Sequence, residues 1–222
     1  MIALLMHETH AALDQMIAQQ VRTCEVLDAR ALQAMRQVRR ELFVPAAWRT
    51  LAYAECALPL AHGKRMLTPM LTGRILQALA VRQGEQVLEI GTGSGYLSAC
   101  LAAAGGRVQS LELHAQIAAT ARANLAAAGL DTVEVTTADG MALVSETAYD
   151  AIVLTASLPI YQAHFERALK YGGRLLVVVG SAPVMAVRLV RRLGPAEFSA
   201  TTLFETCIEP LEHAPAPPGF EF

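Results

Sequence analysis

The chain has 222 residues, 54% of them hydrophobic and 17% charged, which is enough to bury one sizeable core and too apolar for a disordered chain. A formal net charge of -2, with Lys and Arg scattered along the sequence, offers no basic footprint for phosphates, so no nucleic-acid partner is expected. Gly, Arg or Glu interrupts every hydrophobic run before the roughly 20 residues of a membrane span, so no membrane partner is expected either.

The opening MIALLM is short, lacks a basic leader and runs into His7, Glu8 and His10, so it does not read as a signal peptide, and a cytoplasmic chain is expected. Leu13, Met16, Ile17, Gln20 and Val21 then recur at helical spacing, Asp28 stands where it can cap a second helix carrying Leu32 and Met35, and RRELFVP ends that helix at Pro45. Residues 1–57 therefore read as a helical extension, and 58–222 as one compact cofactor-binding unit. Between them and the next helix lies a loop from Leu58 to Pro69, rich in turn formers (Pro59, His62, Gly63) and suited to be a lid. Cys24, Cys56, Cys100 and Cys207 lie far apart, with no C-x-x-C pair and no His at ligand spacing; reduced, buried thiols and no metal site are expected.

From Gln86 the pattern changes. QVLEI, VQSLEL, VEVTT, AIVLT and RLLVVV are strand-like, and Ala- and Leu-rich helical stretches separate the first three. That alternation predicts an α/β fold: a Rossmann-like, doubly wound, mostly parallel sheet of about seven strands, covered on both faces and preceded by the helical segment. MAVRLV and TTLFETCI read as a closing antiparallel pair, and the Pro-rich tail HAPAPPGFEF as extended.

The strongest local signal is VLEIGTGSGYLSACLA, in which Gly91-Thr92-Gly93-Ser94-Gly95 joins a buried strand to a helix. Such a turn lets backbone approach a ligand closely and presents helix N–H groups to it. A dinucleotide site usually shows G-x-G-x-x-G, whereas Tyr96 stands in the place of the third glycine here. Glu89, two residues before Gly91, would repel a pyrophosphate yet can accept from the ammonium of a methionine moiety, which favours S-adenosylmethionine over a nicotinamide cofactor. Glu112, followed by Leu113, ends the next strand where an acid can accept both ribose hydroxyls, and Asp139-Gly140 follows the third strand with an acid suited to the adenine amine. Singly these read as a corner, a solvated strand end and a turn. Their co-occurrence at the carboxyl ends of three successive strands points to a ligand.

The sequence resembles the protein-L-isoaspartate O-methyltransferase family. The likeness is carried by MIAQQVRTCEVLDARALQAMRQVRRELFVP, LAYAECALPLAHG, VLEIGTGSGYLSACLA, YDAIVLTASLP and YGGRLLVVVG in that order. It implies the methyltransferase fold, S-adenosylmethionine as cofactor with S-adenosylhomocysteine as product, and methyl transfer to the stray carboxylate of an isoaspartyl residue in a protein or peptide. Cofactor contacts are then expected at Glu89, Gly91, Thr92, Gly93, Ser94, Gly95, Glu112, Leu113, Asp139, Gly140 and Thr155, and substrate contacts at Pro59, His62, Gly63 and Arg65. The chain departs from the family in the loop, where a Gly-Gln-Thr-Ile-Ser-x-Pro motif is replaced by Gly63-Lys64-Arg65-Met66-Leu67-Thr68-Pro69. Leu67 takes the place of the serine at the reacting centre, which leaves Thr68, the nearest hydroxyl, as the candidate catalytic one, although it points to the opposite side if the segment is extended. Lys64 and Arg65 could hold an acidic substrate. A different, small acceptor and a non-catalytic cofactor-binding protein therefore stand as alternatives.

Overall fold

A computed structural model describes residues 10–217; the MIALLM segment and the last five residues of the tail lie outside them. Helix α1 (10–16) passes into a wider turn over Ile17–Val21 and a tight one over Arg22–Cys24, so the single helical run read from the apolar spacing is three successive winding modes. Helix α2 (Ala29–Gln37) begins where Asp28 accepts from the backbone N–H groups of Arg30 and Ala31, a side-chain cap that offsets two of the donors a helix start leaves open. The loop before helix α3 (Pro69–Leu79) is ordered by a short bridge between Pro59 and Arg65.

Strands β1 (Gln86–Ile90), β2 (Arg107–Glu112), β3 (Glu134–Thr137), β4 (Tyr149–Leu158) and β5 (Leu169–Ser181) run parallel. Helices α4 (Tyr96–Ala103) and α5 (Ala115–Ala127) cross between β1, β2 and β3, and the short α6 (His164–Arg167) precedes β5. Strands β6 (Val184–Arg192) and β7 (Phe198–Thr206) close the sheet antiparallel to their neighbours. The order β3-β2-β1-β4-β5-β6-β7 reverses direction between β1 and β4, and ligands of open α/β sheets bind beyond the strand ends at that switch.

Side chains alternate across the sheet. Val87, Val108, Val153 and Val178 face one layer, where they meet α3, α4 and the buried apolar residues of the N-terminal helices, among them Met16, Ile17, Val21 and Met35. Leu88, Ile90, Ile152, Leu154 and Val177 face the other, around Phe165. The same alternation turns Glu89 toward the first layer, under α4, and that orientation decides its chemistry.

Candidate active site

A cleft of about 780 Å³ opens at the carboxyl ends of β1, β2 and β4. Gly91 leaves β1 with φ +93°, a conformation an L side chain rarely adopts, and a Cβ there would lie 2.2 Å from Thr155 Oγ1. Thr155 can stand so close because its hydroxyl donates to the carbonyls of Ile90 (3.1 Å) and Gly91 (2.6 Å), tying the end of β4 to the turn. The cleft wall at this point is bare backbone.

Glu112 is buried and grips the same turn from β2: Oε2 accepts from the Gly93 N–H at 3.0 Å and Oε1 from the His114 N–H at 3.1 Å. Its carboxylate is thereby fixed on the cleft wall with lone pairs left over for a diol. Asp139 also lines the cleft, but its oxygens are already engaged, one accepting from Met141 N–H and the other 2.7 Å from His213 Nδ1.

Glu89 is enclosed beneath the cradle. The hydroxyls of Ser98 and Ser110 both donate to Oε2, while Oε1 has no partner. Burial pushes this carboxyl up to about 7, the two serine hydroxyls pulling the other way and the nearby Glu112 charge adding to the rise. Being raised above its ordinary value, Glu89 contributes stability that is complete below about pH 4.5 and is lost as pH climbs through about 7. Between pH 5 and 8 the parent's thermal midpoint is therefore expected to fall relative to that of Glu89→Gln. Parallel pH curves for the two proteins, followed by calorimetry, would show instead that Glu89 is ionised throughout.

Across the cleft, Leu67 is part of the wall, and its carbonyl accepts from Arg40 at 2.8 Å. Thr68 Oγ1 caps α3 by accepting from Leu71 N–H at 3.3 Å, so its hydroxyl serves the helix. Among the residues expected to meet substrate, Arg65 lines the cleft, whereas Pro59, His62 and Gly63 stand outside its wall, with the His62 ring stacked on His114 at 4.3 Å between centroids. Lys64 and Arg65, read as able to hold an acidic substrate, have acidic neighbours within the chain: Lys64 pairs with Glu212, and Arg65 lies 3.6 Å from Glu209.

Those two glutamates lie between the run read as the last strand and the Pro-rich tail, in a stretch to which the sequence pattern assigned no role. Residues 207–213 return over the cleft as a strap: Ser157 N–H donates to Glu209 carbonyl, Leu211 N–H donates to Ser157 carbonyl, and His114 Nε2 lies 2.9 Å from Glu212. Nothing in the local pattern of EPLEH announces this, because its partners lie far back in the chain. Among the described residues, no group of three or more His, Cys, Asp or Glu side chains could hold a metal, no helix is long and apolar enough to cross a membrane, and the cysteines are free.

The sequence profile of the family protein-L-isoaspartate(D-aspartate) O-methyltransferase (PCMT) matches residues 11–213. The chain belongs to this family. A Methylorubrum populi protein-L-isoaspartate O-methyltransferase is 38% identical over 204 residues, covering 91% of this chain and 96% of the relative. Rhodopseudomonas palustris (strain HaA2) protein-L-isoaspartate O-methyltransferase 1 is 42% identical over 80% of this chain and 73% of its own length. In fold, the chain is similar to a Plasmodium falciparum structure described as a β-aspartate methyltransferase in complex with S-adenosyl-L-homocysteine, with a TM-score of 0.77 over 92% of this chain and 98% of that one at 17% identity. This PCMT member is thus a methyltransferase with S-adenosylmethionine as its cofactor. Its own residues fit that group: a bare-backbone turn, a fixed carboxylate on the cleft wall beside it and an unpartnered carboxylate oxygen below the cradle.

Proposed function

We propose that this PCMT member forms methyl esters on the carboxylate of isoaspartyl residues in proteins or peptides. The observation that carries the reading is Glu112, buried and locked between the Gly93 and His114 amides so that it can take a nucleoside ribose beside the glycine turn. Bound S-adenosylmethionine supplies a sulfonium methyl that is already activated. A carboxylate acceptor is ionised at neutral pH, given a pKa near 4, so no side chain has to remove a proton. What the protein contributes is alignment, which intramolecular precedents put at roughly 7–11 kcal/mol of barrier. Gly91, Gly93, Glu112, Asp139 and Thr155 are assigned to the cofactor, and the wall formed by Arg65, Leu67 and the strap to the acceptor. Residues 58–222 are assigned to the catalytic unit and 1–57 to an extension whose described helices pack on one face of the sheet. A cytoplasmic location and a protein substrate, without nucleic acid, complete the reading.

Leu67 supports a second reading, in which the same cofactor methylates a smaller, more apolar acceptor. Incubation with methyl-labelled cofactor and an isoaspartyl peptide decides between them. Base-labile label in the peptide is the expected result, with a several-fold gain for Leu67→Ser. Unlabelled peptide from both proteins, with S-adenosylhomocysteine binding intact, would leave only the smaller acceptor.

A further inference from the structure

The cleft carries an excess of acid. Glu55, Glu112, Asp139, Glu209 and Glu212 put five carboxylates on its wall, against the two cations Lys64 and Arg65. An anionic acceptor entering such a cleft is repelled unless a cation takes it in. Lys64 is not free to do so: it and His114 converge on Glu212, and the two together hold that carboxyl down at about 2.

Arg65 is placed differently. Its Nε lies 3.6 Å from Glu209 Oε1, beyond hydrogen-bond length, with 59% of the Arg65 side chain and 46% of the Glu209 side chain exposed. Among the described residues the guanidinium donates no hydrogen bond, so its donors are free for a ligand. A pair so open to water contributes little to stability, and one carboxylate can replace another in it at small cost. Glu209 is itself fixed at the end of β4, where its carbonyl accepts from Ser157 N–H at 2.9 Å. Arg65 also borders a small space of about 50 Å³ with Leu67, Gly91, Gly93 and Thr155, next to the turn assigned to the cofactor. The guanidinium therefore reaches the place where the loop, β4 and the strap meet. No hydroxyl of the loop competes with it there: Leu67 has none, and the Thr68 oxygen serves α3.

We propose that Arg65 is the specificity-determining residue for the acceptor, its guanidinium taking the carboxylate to be methylated in exchange for Glu209. The planar fork of an arginine matches a carboxylate in two parallel hydrogen bonds, and each carboxylate oxygen keeps a lone pair afterwards. Glu209 is the internal stand-in, holding the guanidinium at the cleft until an acceptor displaces it. The inference rests on the reading that the acceptor is an isoaspartyl carboxylate, and it names the group that selects for that charge in a chain with Leu67 beside the site.

Titration calorimetry on the full chain, saturated with S-adenosylhomocysteine, tests this with two peptides that have blocked termini and no other acid. One carries the isoaspartyl carboxylate, and the other has that group converted to its carboxamide. The parent is expected to bind the carboxylate roughly 10- to 100-fold more tightly, the effect of charge-assisted hydrogen bonds. Arg65→Gln is expected to bring the two peptides within about threefold of each other, and Arg65→Lys to fall between, since an ammonium keeps the charge and loses the fork. Glu209→Gln is expected to bind the carboxylate peptide several-fold more tightly than the parent with the carboxamide peptide unchanged, because the internal competitor is gone. Equal weakening of both peptides by Arg65→Gln would make Arg65 a strut for the loop and overturn the proposal. Discrimination of tenfold or more surviving in Arg65→Gln would overturn it too, as would a Glu209→Gln protein that binds the carboxylate peptide no better than the parent. A parent that takes up S-adenosylhomocysteine but neither binds nor methylates the isoaspartyl peptide would sink the acceptor reading, and this inference with it.

Discussion

Glu112→Ala is expected to weaken S-adenosylhomocysteine binding by roughly 10²- to 10³-fold. The residue is asked for two things at once. Its oxygens accept from the Gly93 and His114 amides, which holds the turn in its binding shape, and their remaining lone pairs face the cleft. Hydrogen bonds to a charged group contribute about 1.5–3 kcal/mol each, so losing a bidentate pair at the lower end of that range, about 3–4 kcal/mol, accounts for the expected loss. The loss of shape adds to it, since two amides are left without their acceptor. Glu112→Gln keeps one acceptor oxygen and is expected to lose less, about tenfold. Calorimetry of both variants, with circular dichroism to show retained structure, checks the ordering. An affinity for Glu112→Ala within threefold of the parent would remove the carboxylate from the ribose site.

Gly91→Ala carries the second large effect, and it acts on stability as well as binding. A Cβ at φ +93° is strained, at a cost of roughly 1–2 kcal/mol, and it would sit 2.2 Å from Thr155 Oγ1. Thr155 cannot step aside without giving up its bonds to Ile90 and Gly91 carbonyls, each about 1 kcal/mol. The sum is about 3–4 kcal/mol, which for a chain of this size is a fall of roughly 6–16 °C in thermal midpoint. Cofactor binding should disappear with it, because the added methyl stands on the wall that the ligand must touch. The double variant Gly91→Ala/Thr155→Ala is expected to have a midpoint close to that of Gly91→Ala, since the clash is removed but the backbone strain stays and the same two hydrogen bonds are lost. Gly93→Ala offers a contrast. Its Cβ would meet only Leu60 Cδ1 at 3.4 Å, and a smaller fall is expected. Identical midpoints for Gly91→Ala and the parent would show that the turn is softer than its geometry states.

Much of this was legible in the chain because the signals are local. The parallel strands announce themselves as short apolar runs separated by helical stretches, and β6 and β7 as a pair with alternating polarity. A run of glycines between a buried strand and a helix has few other uses, and acids at the ends of the neighbouring strands fall beside it by topology alone. Asp28 as a cap was readable for the same reason, its partners being two and three residues away. Glu89 was legible as an acid beside the turn, because its spacing from Gly91 is a sequence property, whereas its enclosure depends on Ser98 and Ser110 arriving from α4 and β2.

The amino-acid sequence by itself determined the α/β sheet, the glycine corner and the acidic ends of the strands around it, since each follows from periodicity or from residues a few positions apart. Only the tertiary structure decided that Lys64 and Arg65 are paired with glutamates, that residues 207–213 cross the cleft, and that Arg40 and Glu89 are enclosed beside the glycine turn, each with an unpartnered atom. Arg65 and Glu209 are 144 positions apart, and Arg40 and Glu89 are 49 apart. Pairings at such separations leave no periodic trace in the chain, because they are made by strand order and layer packing and not by any local preference of the residues involved.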